Sequence, residues 1–205
     1  MEFKSNYPLK PFQSLDEQKV RTIIEKFPLA TVISQQPDEP VVTQVPLIYM
    51  KEDGYDTLYG HFDLNNPHSK VIDSQPKIYC VFSTPNHYVS PSIYPDKHYP
   101  GWVYASVHIV GAVNLIDEVE KKAEILMELS RQNEPSDSGY ELRTDQENFD
   151  IYIRMIQMFK ITIQDTKAVL KLAQDKGPAH AKLAVDHLAA RSKDDLSEFF
   201  EGLLQ

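Results

Sequence analysis

Apolar positions along this chain change their period several times, and each change marks an element. Pro8 and Pro11 keep the first thirteen residues, Met1 to Gln13, irregular. Ser14-Leu-Asp-Glu17 reads as a capping box, after which Val20, Ile23, Ile24 and Phe27 share one helical face. Pro28 ends that helix. Leu29 to Ser34 and Val41 to Met50 are rich in β-branched residues and read as strands around the turn Gln36 to Pro40. A second turn, Lys51 to Asp56, leads into a strand over Thr57 to Phe62. A short helix over Pro67 to Ser74, a strand over Lys77 to Ser83 and a long ordered loop over Pro85 to Gly101 follow. Trp102 to Ile116 reads as one long strand.

Beyond Ile116 the period becomes helical. Glu118 to Arg131 is amphipathic, Glu134 to Tyr140 is a polar turn region, and Gln146 to Met158 is expected to be helical. Phe159 to Thr166 alternates as a strand, and two helices are expected over Gly177 to Arg191 and Asp194 to Leu204. Hairpins precede a single short crossover, and helices gather at the ends. That order points to a mainly β, α+β fold: an antiparallel β-barrel with helical additions, not a doubly wound α/β sheet. The expected organisation is an arm over residues 1–13, a barrel domain over 14–175 and a helical extension packed on the barrel over 176–205.

Composition narrows the function classes. With 41% hydrophobic and 25% charged residues, the chain is of the soluble globular type. Its net charge of -9 repels the DNA backbone, and its five arginines, Arg21, Arg131, Arg143, Arg154 and Arg191, are scattered, which argues against direct DNA binding. The one cysteine, Cys80, lies in the apolar run Ile78 to Phe82 and reads as a core residue. With no secretory leader pattern and no apolar run of bilayer length, the expected location is the cytoplasm, with no membrane association. The seven glycines form neither G-x-G-x-x-G nor a P-loop.

Candidate chemistry gathers first at Gly60-His-Phe-Asp-Leu-Asn-Asn-Pro-His-Ser-Lys70, where a strand runs into a helix start. Asn66 reads as the N-cap and Pro67 as the first helical residue. Histidine, asparagine, serine and lysine therefore surround a helix N-terminus, a setting that suits a phosphate. A metal could use His61 and Asp63 on one strand face with His68 and His108. Yet no H-x-H pair with a later glutamate and no H-E-x-x-H occurs, so no metal site is expected. No nucleophile motif is present either. Asn86 to Tyr94 and Gly101 to His108 place tyrosines, the single tryptophan and small hydroxyls in neighbouring segments, a set able to stack on a planar heteroaromatic ligand.

Thr43-Gln-Val-Pro-Leu47, Gly60-His-Phe with Asn66-Pro67, Tyr88-Val-Ser-Pro-Ser-Ile-Tyr94 and Trp102-Val-Tyr with Val107-His108 and Gly111 follow in an order that resembles the PaiB family. These are FMN-binding split-barrel proteins, often labelled negative transcriptional regulators. Phe159 to Ile163 and Leu170-Lys-Leu-Ala-Gln174 resemble that family's closing strand and its Lys-Leu-Ser-Gln motif, with Ala173 in place of the serine. The resemblance implies a homodimer with FMN in clefts at the subunit interface. It implies that Thr43, Val45, Pro46 and Leu47 lie along the flavin, with backbone groups of Val45 and Leu47 meeting its pyrimidine edge. His61, Asn66, His68, Ser69 and Lys70 would surround the phosphate, and Ser90, Ser92, Tyr94, Trp102 and His108 would complete the site. Related oxidases clamp the phosphate with arginine, whereas no arginine lies between Arg21 and Arg131 here. The resemblance leaves open a regulatory protein, an FMN-dependent oxidoreductase or a haem-degrading enzyme.

Overall fold

A computed structural model of the chain describes residues 8–14, 16–74, 77–96, 98–191 and 197–204. In chain order the elements are β1 (Gln13–Ser14), α1 (Glu17–Lys26), β2 (Leu29–Ser34), β3 (Val41–Pro46), β4 (Ile48–Glu52) and β5 (Tyr55–Asp63). After α2 (Pro67–Val71) come β6 (Ile78–Ser83), β7 (His87–Val89), β8 (Gly101–Ile116), α3 (Val119–Asn133) and α4 (Phe149–Arg154). The chain closes with β9 (Ile156–Lys171), α5 (Pro178–Ala189) and α6 (Ser197–Leu204). The first seven residues of the expected arm, and the start of the expected last helix at 194–196, lie outside the described residues. Among the described residues no helix is long and apolar enough to cross a membrane.

The chain divides into two compact units. The larger takes Ile24–Phe82 and His108–Thr166, and its sheet runs in the order β3-β2-β6-β8-β9-β5-β4. The pairings β2 with β3, β2 with β6, β4 with β5 and β5 with β9 are all antiparallel. On one side, Ile48, Tyr59, Ile116, Ile125 and Met158 form a buried cluster that seats α3. Residues 57 to 60 of β5 are buried on successive positions, because both faces of that strand are covered. Two glycines allow the close approaches. A Cβ on Gly60 would stand 2.4 Å from Leu47 Cδ2, and one on Gly111 would stand 2.4 Å from Ile161 Cγ2 and 2.6 Å from the Thr162 carbonyl oxygen.

The other unit takes the residues up to Ile23, Ser83–Val107 and those from Lys167 onward. Here β1 pairs with the end of β9 and β7 with the start of β8, both antiparallel. Ala181, Ala184, Val185 and Leu188 form the buried face of α5. The Lys171-Leu-Ala-Gln174 segment forms a turn with Ala173 in the left-handed region at φ 61°. Gln174 holds the turn: its Oε1 accepts from Leu172 N–H at 2.7 Å, and its Nε2 donates to the Leu170 carbonyl.

Four expectations need correction. The N-cap of α1 is Asp16, whose Oδ1 accepts from Gln18 N–H at 2.9 Å and Lys19 N–H at 3.2 Å, while Ser14 Oγ accepts from Asp16 N–H. The strand expected over Val41 to Met50 breaks at Leu47, whose N–H turns to the Pro28 carbonyl at 2.9 Å. The helix expected over Gln146 to Met158 stops at Arg154. Ile156, Gln157 and Met158 instead pair with Asp63, Phe62 and His61, so the sheet partner overrides a weak local helical period. The loop over Pro85 to Gly101 contributes β7.

Gly111→Ala is expected to cost about 2 to 4 kcal/mol, since backbone must move to admit the new carbon. Gly101→Ala, at the start of the same strand with nothing within 4 Å, is expected to stay within about 0.5 kcal/mol. Urea unfolding of the two variants tests the contrast.

Candidate functional site

In the larger unit the strand-to-helix passage is held by one hydrogen-bond relay. Asn66 Oδ1 caps α2 by accepting from His68 N–H at 2.9 Å, which fixes the orientation of its amide. Thr43 Oγ1 donates to the same oxygen at 3.2 Å. Having spent its proton, that hydroxyl can only accept from His68 Nδ1–H, 2.9 Å away. His68 Nε2 is then the acceptor for the Ser34 hydroxyl at 2.8 Å. Both His68 and Ser34 are fully buried. The imidazole also stacks on Phe62, with centroids 4.7 Å apart and planes within 3°. Burial drops the His68 pKa to about 4, so the ring is neutral around pH 7.

This relay revises the expected phosphate contacts. His68 has both ring nitrogens engaged and is a positioning residue of the helix start. The helix N–H groups are spent as well: Asn66 takes His68 N–H through its side chain and Ser69 N–H through its carbonyl at 3.0 Å. Ser69 Oγ donates to the Leu64 and Asn66 carbonyls at 2.9 and 2.7 Å. Lys70 is exposed at the surface of the same helix. His61 Nδ1 is buried with no hydrogen-bond partner among the described residues, and burial lowers the pKa of that ring too.

The expected backbone contacts also shift. The Leu47–Pro28 bond sets the alternation of the β2–β3 ladder, so residues 45 and 43 face Ala30 and Val32 as hydrogen-bonded pairs. Val45 and Leu47 therefore turn their N–H groups inward, not toward a ligand. Outward-facing groups belong to Val42, Gln44 and Pro46, on a strand whose only partner among the described residues is β2. Pro46 offers a carbonyl alone; Gln44 offers both N–H and C=O.

His108 is an exposed residue of the same unit. Ser90, Ser92, Tyr94 and Trp102 belong to the other one. There Ser90 caps a 3₁₀ turn, accepting from Ser92 N–H at 3.2 Å, and the two hydroxyls lie 2.8 Å apart. Tyr94 and Trp102 line a cavity of about 270 Å³ that Phe12, Lys171 and Lys176 also border. Lys176 belongs to none of the quoted motifs, and Lys171, though part of Leu170-Lys-Leu-Ala-Gln174, is not linked to Trp102 by any spacing in the sequence. A larger cavity, about 450 Å³, lies against α3 and is bordered by Glu124, Glu128, Glu134 and Glu141. It holds none of the expected flavin residues, and those four glutamates outweigh its one lining cation, Arg131, a balance unsuited to a phosphate.

Residues 6–165 match the family described as "Putative FMN-binding domain". The chain belongs to this family. The family assignment agrees with the split-barrel resemblance read from the four motifs. Among relatives, "Protease synthase and sporulation protein PAI 2" of Bacillus subtilis (strain 168) is 22% identical over 196 residues, covering 95% of each chain. Among solved structures, the FAD and heme binding protein from Mycobacterium smegmatis shares the fold at a TM-score of 0.61 and 17% identity, over 78% of this chain and 73% of its own. The flavocytochrome Anf3 from Azotobacter vinelandii does so at 0.60 and 21%, over 78% and 69%. The fold is thus the antiparallel split-barrel class with added helices, as the element order implied.

The relay predicts an acid-labile fold. Unfolded, His68 titrates near the ordinary imidazole value of 6.5; folded, burial lowers it to about 4. Between those values the unfolded chain binds more protons, so stability is complete above the upper value and falls as pH drops through the window. His61 acts in the same direction. The urea midpoint is expected to hold near pH ~7 and decline toward pH ~4, with His68 contributing up to about 3 kcal/mol. In His68→Gln, the slope in that window should shrink.

Proposed function

We propose that this chain binds FMN as a homodimer and serves as a flavin-dependent regulator of the PaiB type. The observation that carries the reading is the FMN-binding domain match over residues 6–165. The outer edge of β3 supports it chemically, since the pyrimidine end of a flavin presents both donors and acceptors and Gln44 can answer both. Thr43, Val45, Pro46 and Leu47 form the wall of that strand, with Asn66, His68 and Ser69 setting the helix start beside it. The unpartnered, buried Nδ1 of His61 is a polar atom in want of a ligand contact. Lys70 meets the phosphate as a point charge, without the planar fork of arginine. The family resemblance further assigns aromatic surface to Tyr94 and Trp102 and polar contacts to Ser90, Ser92 and His108. Bound, the flavin supplies reversible one- and two-electron chemistry.

The regulatory part rests on the Bacillus relative, whose name ties it to protease synthesis and sporulation. With a net charge of -9, regulation runs through a protein partner or the redox state of the flavin, not through a DNA-reading surface on this chain.

The test is a titration of the purified full-length protein with FMN, following flavin and Trp102 fluorescence, with light scattering for the assembly state. Saturable binding of one FMN per chain in a dimer is expected; absence of saturable binding overturns the reading. Gln44→Pro removes one outward N–H from an edge strand that tolerates proline. It is expected to weaken FMN about five- to tenfold, the loss of one hydrogen bond of about 1 kcal/mol, with unchanged circular dichroism.

A further inference from the structure

Away from the β3 edge, in the smaller unit, three side chains converge that no sequence motif connects. Asp96 and His98 follow the 3₁₀ turn Pro91–Ile93, and His180 stands in the first turn of α5. One ligand atom from each lies within 4.8 Å of the other two. Both imidazoles aim the same atom, Nε2, at one carboxylate: His180 at 2.6 Å from Asp96 Oδ1 and His98 at 3.1 Å from Asp96 Oδ2. We propose that Asp96, His98 and His180 bind a divalent first-row transition-metal ion through two imidazole nitrogens and one carboxylate.

Three observations carry this. First, the Asp96–His98 approach is an ion-pair contact without hydrogen-bond geometry: His98 Nε2 is buried with no hydrogen-bond partner among the described residues. A metal ion satisfies it. Second, the rings are fixed before any ion arrives. Tyr94 packs on His98 at 5.2 Å and on His180 at 5.1 Å between centroids, and the two imidazoles meet edge to face at 4.8 Å. Such outer packing is what holds ligand rings in a coordinating orientation. Third, the spacing suits small cations. With bonds of about 2.1 Å, ligand atoms in tetrahedral or octahedral sites stand roughly 3.0 to 3.5 Å apart. The Asp96–His180 contact therefore opens by less than about 1 Å, and any pair nearer the 4.8 Å bound closes by roughly 1 to 2 Å around the ion.

The donor set also selects the ion. Two imidazoles disfavour calcium and magnesium, which take oxygen ligands, and suit zinc, cobalt, nickel or ferrous iron. Three protein ligands leave coordination positions open to water or a substrate, as in catalytic metal centres.

The three ligands are not among the proposed flavin contacts, although Tyr94 packs on two of them, so the test omits FMN. Tag-free, full-length protein is stripped with chelator and titrated with Zn²⁺ by calorimetry and, separately, with Co²⁺ by visible absorption. One ion per chain is expected, with a ligand-field spectrum for Co²⁺ and a raised unfolding temperature in Zn²⁺. Asp96→Asn, a near-isosteric change at an exposed residue, and His180→Ala should each weaken binding tenfold or more. His187→Ala, a histidine on the same helix outside the cluster, should leave binding unchanged. Absence of stoichiometric binding of either ion overturns the site, as does binding that neither Asp96→Asn nor His180→Ala weakens. The cluster is then an Asp–His ion pair joining the loop to α5.

Discussion

The hydrogen-bond relay Ser34–His68–Thr43–Asn66 is the constraint on which the larger unit's candidate site depends. It ties β2, β3 and the start of α2 through a single neutral imidazole. Each member uses its donor or acceptor capacity in one direction, so no member can be protonated or removed without orphaning its neighbour. A buried network of this kind gains its worth from completeness: each satisfied bond adds modestly, while a broken one leaves a buried polar group unpaired. The cost of fixing His68 is the loss of that residue as a ligand contact. What the relay provides is position, since β3 cannot slide against α2 while Thr43 serves both.

Position matters to the proposed flavin site because no arginine lies between Arg21 and Arg131 to grip a phosphate. A bidentate fork orients an anion by itself, whereas lysine attracts without orienting. In the proposed site Lys70 carries the charge while the helix N–H groups are already engaged by Asn66, so orientation comes from elsewhere. Within the larger unit, the outward groups of the β3 edge are the ones equipped to supply it in that proposal. Strand edges are ordinarily a liability for association. A planar cofactor laid along one turns that liability into a binding surface.

Much of the fold was legible in the chain because its signals are local. β-Branched runs gave β2 from Leu29 to Ser34 directly, and Asn66-Pro67 gave the start of α2 through the stereochemistry of a cap. The segment at Ile156 to Met158 misled because its apolar spacing fits either period, and only the pairing with His61 to Asp63 decides between them. The β3 edge was read with its polarity reversed. Which residues of a strand face outward depends on one ladder bond, Leu47 to Pro28, that sequence does not announce. The Asp96–His98–His180 cluster escaped for a different reason: 84 residues separate Asp96 from His180, and motif reading sees only neighbours. Asp96 and His98 alone, two residues apart, carry no metal signature.

Cys80 sits at the middle of β6, fully buried, with burial pushing its thiol up to about 12. It is also the chain's only cysteine. A protein that handles flavin lives beside oxidants, and a thiolate within reach would be converted up the oxidation ladder. Here the sulfur is protonated and shielded as long as the sheet is closed. The folded protein is thus insensitive to thiol oxidants and cannot cross-link to a second copy. Once the sheet opens, the same atom becomes reactive, and disulfide-linked pairs of chains become a covalent record of how often β6 has been exposed.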